Sequence, residues 1–179
     1  MRAERPRVGV SACLLGEPVR FDAGHKRQPL MLEVIAPQVE WIPVCPEVAA
    51  GLGTPREPME LTRDGDGAVS LLTVTRRHDV TEQLLSQARN DVSLLATGDL
   101  SGFIFKARSP SCAVQSAAVH RADGAVEEHG RGLFAELLMR ACPALPVEEE
   151  EGLRDRVSCE AFLARVYAFW RVRGTGAER

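Results

Sequence analysis

Three cysteines stand in segments rich in residues that can do chemistry. Cys13 lies in Val10-Ser11-Ala12-Cys13-Leu14-Leu15-Gly16, and Cys45 in Pro43-Val44-Cys45-Pro46-Glu47-Val48. Cys112 closes Lys106-Ala107-Arg108-Ser109-Pro110-Ser111-Cys112. Thiolates are soft ligands suited to iron–sulfur clusters or zinc. The alternative is plain burial of three small hydrophobic side chains. Five cysteines, an odd number in a chain of 179 residues, argue against a disulfide framework. Cys142 and Cys159 fall in or beside helical patterns and are read as core or surface thiols.

The elements around these cysteines are those of an α/β domain. Arg7 to Ala12 reads as a buried strand, Glu40 to Val44 as a second and Gly102 to Ala107 as a third. Each is followed by one of the three cysteines. Pro58 to Thr62 and Val69 to Thr75 flank Asp64-Gly65-Asp66-Gly67 and predict a hairpin. Val114 to His120 reads as another strand, ended by Asp123-Gly124. Helices are expected at Leu30 to Ala36, Asp79 to Thr97, Gly132 to Ala141 and Leu153 to Arg171, and Ala49 to Arg56 as a loop or short helix with a glycine end. The acidic run Glu148 to Glu151 is assigned to the positive end of the last helix, with no site role. The tail from Arg173 is expected to be loose. Alternating strands and helices predict one Rossmann-like sheet, mainly parallel and flanked by helices, in a single domain over residues 1–179 with a core at about 6–172. In such sheets ligands sit beyond the carboxyl ends of the strands, where distant cysteines can converge.

Composition narrows the function classes. Hydrophobic residues are 45% and charged residues 26%, ordinary for a globular protein, while aromatics are only 5%. A chain of this size can bury enough surface to fold without a structural metal, so any metal needs a chemical reason. The formal net charge of −3 gives no support for nucleic acid as the main substrate. No long apolar run suggests a membrane span and no secretory signal is recognised, so the expectation is a cytoplasmic protein. The pattern leaves oligomeric state open.

The three cysteine segments, in this order, resemble those of the thiouracil desulfidase family, long catalogued as a domain of unknown function. The likeness extends over Phe134-Ala135, Pro143 to Glu150 and the last helix. It implies a 4Fe–4S cluster held by Cys13, Cys45 and Cys112, with one iron lacking a protein thiolate. In such enzymes that iron captures the sulfur of a thiolated pyrimidine, and water replaces it without redox change, giving uracil and hydrogen sulfide. The family's acid–base carboxylate corresponds to Glu47 and its proton-relaying serine to Ser111. Ala113 stands where the family pattern has glycine, and the second domain of relatives linked to thiolated tRNA is absent. Free thiouracil or a thionucleoside is therefore the expected substrate.

Elementary chemistry is compatible with these assignments and leaves alternatives. A 4Fe–4S cluster normally takes four thiolates, so three leave one iron open as a Lewis acid for soft sulfur. Redox or sensor iron–sulfur proteins and a zinc site remain competing readings, although the spacing is wider than any CxxC pair. Pro46 pushes Cys45 into an extended conformation, and continued extension would set Glu47 on the same side. Glu47 could instead favour the start of a short helix. Ser111 could relay a proton or merely bond backbone in a turn with Pro110. Ser11, Arg108 and Ser109 are candidates to support the site. The loop bearing Arg20, Asp22, His25, Lys26 and Arg27 is either a solvated loop or a rim that orients substrate or supports the cluster. His25 as a fourth ligand would close the open iron.

Overall fold

The computed structural model describes residues 5–176. Two four-stranded sheets form its framework. The first holds β1 (Arg7–Ser11), β2 (Glu40–Val44), β5 (Leu100–Phe105) and β8 (Val147–Glu149) in the order β2-β1-β5-β8, every pairing parallel. The second holds β3 (Met59–Arg63), β4 (Val69–Thr73), β6 (Ala117–Arg121) and β7 (Val126–Gly130) in the order β4-β3-β6-β7. Its β3–β6 pair is parallel, whereas β3–β4 and β6–β7 are antiparallel.

The first sheet is buried on both faces, which is why its central strands read as continuous apolar runs. Every residue of β5 is buried. Val8, Val10 and Ile104 pack with Met31, Val34 and Ile35 of the α1 (Pro29–Val34) region and with Phe162, Leu163 and Val166 of α5 (Arg156–Gly176). Phe103 and Phe105 turn the other way, onto α3 (Thr81–Thr97) and α4 (Leu133–Ala141), meeting Ala88, Val92, Phe134 and Leu138. Gly9 is required between them: a Cβ there would lie 2.2 Å from the Phe103 ring. The two sheets share α3. Leu84 near its start packs with Leu61, Leu71 and Val119 of the second sheet, and Ala88, Val92 and Leu95 with the first.

The expectation of one mainly parallel sheet is therefore corrected to an α/β fold with one parallel and one mixed sheet. The hairpin over the Asp64 turn forms as expected, with Asp64 Oδ1 accepting from Asp66 N and Ala68 N. That hairpin joins β6 and β7 rather than the parallel sheet. Strand β6 starts at Ala117, not Val114, because Val114 N and Gln115 N donate to Glu149 Oε1 instead of to a ladder. Strands β7 and β8 have too few apolar residues to be read from pattern. The last helix continues through Gly176, with Arg173 Nη1 donating to Leu100 O at 3.0 Å. The rest of the tail expected to be loose, residues 177–179, lies outside the described residues.

Candidate metal centre

Because the first sheet is all parallel, Ser11, Val44, Phe105 and Glu149 end at one edge. The chain leaves β1 in a 3-10 turn, Ala12–Leu15, closed by Gly16 at a left-handed φ of 102°. Cys13 O accepts from Gly16 N and Lys26 N, so the polar loop returns onto the cysteine. Cys45 is extended (φ −127°), as the following proline dictates, but Pro46 then starts α2 (Pro46–Ala49). Continued extension is thus not what brings Glu47 to the site. The carboxylate sits in the first turn of α2, directed to Ser111 and Arg56.

The third segment has no ladder to satisfy its backbone and uses side chains instead. Ser109 Oγ accepts from Ser111 N (3.2 Å) and Cys112 N (3.1 Å). The first amides of α4, which have no partner within their own helix, donate to this loop. Leu133 N reaches Pro110 O, and Phe134 N and Ala135 N reach Ser111 O. Ser11 Oγ accepts from Lys106 N at 2.9 Å, and the Ser11 hydroxyl opposes the rise that burial imposes on the Cys112 thiol.

The three cysteines line one pocket of about 370 Å³, together with Glu47, Arg56 and Lys106. All three thiols are free, and Cys13 and Cys112 are buried. Burial pushes the Cys13 thiol up to about 11, opposed by Lys106 and assisted by Cys45. Burial likewise raises Cys45 and, more strongly, Cys112, whose sulfur also feels Glu47, Cys45 and Cys13. Three thiolates so placed repel one another and call for a compensating cation, which is the chemistry of a metal-binding donor set. Among the described residues no three His, Cys, Asp or Glu side chains close on one ion position.

Ser111 Oγ donates to Glu47 Oε1 at 2.9 Å, so the two candidates from sequence meet directly. Ser111 is fully buried, whereas Glu47 reaches the pocket wall. Arg108 lies at the pocket rim with a left-handed φ of 59°, and its guanidinium pairs outward with Glu151. Asp22 and His25 close their own turn: Asp22 Oδ1 accepts from Gly24 N, and His25 Nδ1 from Arg27 N. Neither lines the pocket, although Arg20 and Lys26 of the same loop do. Cys159, on α5, packs in one core and Cys142 ends α4 beside the other, and neither lines the pocket.

Several contributors went unassigned in the sequence. Arg56 is 7% exposed and binds Glu47 Oε2 through Nε (2.8 Å) and Nη2 (2.5 Å). Buried Glu150 pairs with Lys106 and accepts from Ala107 N, while Glu149 holds Val114, Gln115 and Ser116. Glu149 and Glu150 thus clamp the Cys112 loop, while Glu148 pairs with Arg165 of the last helix.

The family described as 2-thiouracil desulfurase matches residues 8–150. The chain belongs to that family. Among solved structures it is similar to a [4Fe-4S]-dependent thiouracil desulfidase, TudS, with a TM-score of 0.66 and 32% identity over 83% of this chain and 93% of that one. It is also 28% identical over 107 residues to the uncharacterized protein YbbK of Bacillus subtilis (strain 168), covering 58% of this chain and 70% of that protein. Family membership gives the three strand-end cysteines a common context: the match spans all of them, Glu47 and Ser111. Among the described residues no helix is long and apolar enough to cross a membrane.

Proposed function

We propose that this chain desulfurates a thiolated pyrimidine of the thiouracil or thiouridine type, using a 4Fe–4S cluster held by Cys13, Cys45 and Cys112. The observation that carries the reading is the hydrogen-bonded Glu47–Ser111 pair beside three cysteines that line one pocket. Family membership supports the reaction class. Three cysteines lining one pocket fit the donor set of a cluster in which separate irons each take a thiolate. When bound, the cluster supplies an iron free of protein thiolate that attracts soft sulfur and draws electrons from a C=S bond.

The chain's own residues do the rest. Val19, Phe21, Pro58 and Met59 give the pocket an apolar wall that takes the flat ring and excludes bulk water. Glu47 takes a proton from the water that attacks the ring carbon and returns it to the departing sulfur, which gains the water's second proton as the ring carbonyl forms. Ser111 donates to Glu47 Oε1, which leaves the carboxylate oriented through the exchange. The balance is thione plus water to oxo compound plus hydrogen sulfide, with no net redox change. A pocket of about 370 Å³ suits a base or nucleoside rather than a folded nucleic acid.

The test is anaerobic purification, metal analysis and a visible spectrum, followed by sulfide release from 2-thiouracil, 4-thiouracil and 4-thiouridine. Iron, a brown colour and sulfide release are expected. A colourless zinc protein would overturn the cluster. A brown protein inert toward every thiolated pyrimidine would overturn the reaction. Glu47→Gln is expected to abolish sulfide release while leaving iron per chain unchanged.

A further inference from the structure

We infer that Arg56 is a positioning residue that fixes which oxygen of Glu47 faces the proton-transfer path. The inference rests on the acid–base role proposed for Glu47. An arginine carries five N–H donors and no acceptor. Here all five have partners. Nε and Nη2 both reach Glu47 Oε2. The second Nη2 bond goes to Val19 O at 2.9 Å, and Nη1 donates to Gly53 O at 2.7 Å and Thr54 Oγ1 at 3.3 Å. No donor is left for an incoming substrate, so Arg56 acts through Glu47 although it lines the pocket.

The geometry divides the carboxylate. Oε2 is taken up by the guanidinium, and Oε1 is the oxygen that meets the Ser111 hydroxyl. Two N–H bonds converging on one oxygen prevent the carboxyl group from turning about its terminal torsion, which is otherwise soft. The arginine is held from three sides. Val19 belongs to the loop after Cys13, Gly53 and Thr54 to its own loop, and Arg56 N donates to Phe21 O at 2.9 Å. Glu47 is thereby referenced to the Cys13 loop as well as to its own short helix. A lysine would preserve charge but offers a point charge with no planar fork.

The decisive variant is Arg56→Lys, with Arg56→Ala beside it. Arg56→Lys is expected to keep wild-type iron per chain and a KM for 4-thiouracil within about threefold, while kcat falls on the order of 100-fold. A crystal structure of the full-length Arg56→Lys chain should show the Ser111–Glu47 contact broken or moved to the other oxygen. Added guanidinium should restore part of the rate of Arg56→Ala. An unchanged kcat in Arg56→Lys would overturn the inference, as would a raised KM at constant kcat, which would mean direct substrate binding. Loss of iron in step with rate would also overturn it, making Arg56 a clamp on the ligand loops. If the wild type releases no sulfide, the proposed reaction fails on its own, and the Arg56→Lys structure still decides whether Arg56 sets the Glu47 geometry.

Discussion

Replacing Gly132 by alanine adds one methyl group where the Cys112 loop meets α4. The backbone at Gly132 is extended, with φ −69° and ψ 148°, a conformation any residue adopts. The effect therefore comes from contact alone. A Cβ there would stand 2.4 Å from Ser111 C and 2.6 Å from both Cys112 N and Ser111 O. All three are backbone atoms, and ordinary contact begins near 3.4 Å, so loop and helix must part by about 1 Å. Four backbone bonds span this seam: Gly132 N to Ala113 O, Leu133 N to Pro110 O, and Phe134 N and Ala135 N to Ser111 O. Overpacking of this kind costs about 1–3 kcal/mol, and weakening one or two of the bonds adds about 1 kcal/mol. A total of about 2–4 kcal/mol lowers Tm by roughly 5–15 °C in a chain of this size. Because Ser111 and Cys112 are the atoms displaced, iron per chain should fall as well. Thermal unfolding and iron analysis of Gly132→Ala would be read against Gly65→Ala, where an added Cβ meets nothing within 4 Å. A Gly132→Ala protein with the control's Tm and full iron would refute the claim that α4 seats the cysteine loop.

Other outcomes follow from the same contacts. Glu150→Gln leaves the Lys106 ammonium, 12% exposed, without its carboxylate and should cost about 3 kcal/mol in urea unfolding; a cost below about 1 kcal/mol would show the pair to be unimportant. Cys159→Ala should destabilise by about 1–2 kcal/mol through the cavity it leaves in the α5 core, with iron per chain unchanged; lost iron would make Cys159 a ligand. Burial raises the Glu136 carboxyl, but its bonds to Arg131 and Arg140 outweigh this and hold it below the ordinary range. A depressed folded value means that the stabilisation is complete above the unfolded pKa and vanishes as pH falls through the folded one. Glu136→Gln should therefore lower the urea midpoint more at pH 7 than at pH 3; equal losses at both would deny the ion pairs a role.

How much of this could be read from residues alone depends on where each signal resides. Cysteines at the ends of buried apolar runs identify a sheet edge, and β1, β2 and β5 bear that reading out. The pairing of strands β3, β4, β6 and β7 into a second sheet was not legible. Their burial alternates weakly, and β6 is preceded by amides committed to Glu149. Charge runs were misread for a related reason. Glu149 and Glu150 look like a solvated stretch before a helix, yet β8 delivers them to the loop beside Cys112. Pairing partners more than thirty residues away leave no periodic mark. Arg56 was visible within its Gly-rich segment, but only three-dimensional contact shows that its five donors are committed.

These misses share a cause that bears on how the site works. Lys106, Ala107, Ser109 to Cys112 and Val114 to Ser116 lie past the ends of regular strands, where ladder partners stop. Their polar groups are satisfied locally by Ser109 and from distant parts of the chain by Ser11, the adjacent pair Glu149 and Glu150, and the first turn of α4. Cys112 is thus held by a network drawn largely from outside its own segment. Each tie is worth about 1 kcal/mol in stability, and more where a charge is buried. Their effect on the proposed cluster would be larger in consequence, because three sulfurs would have to surround one group at fixed separations. Substitutions in this network should reduce iron content well before they unfold the protein, whereas changes at Glu47, Ser111 or Arg56 should spare iron and remove turnover. That division separates the residues that build the site from those that use it.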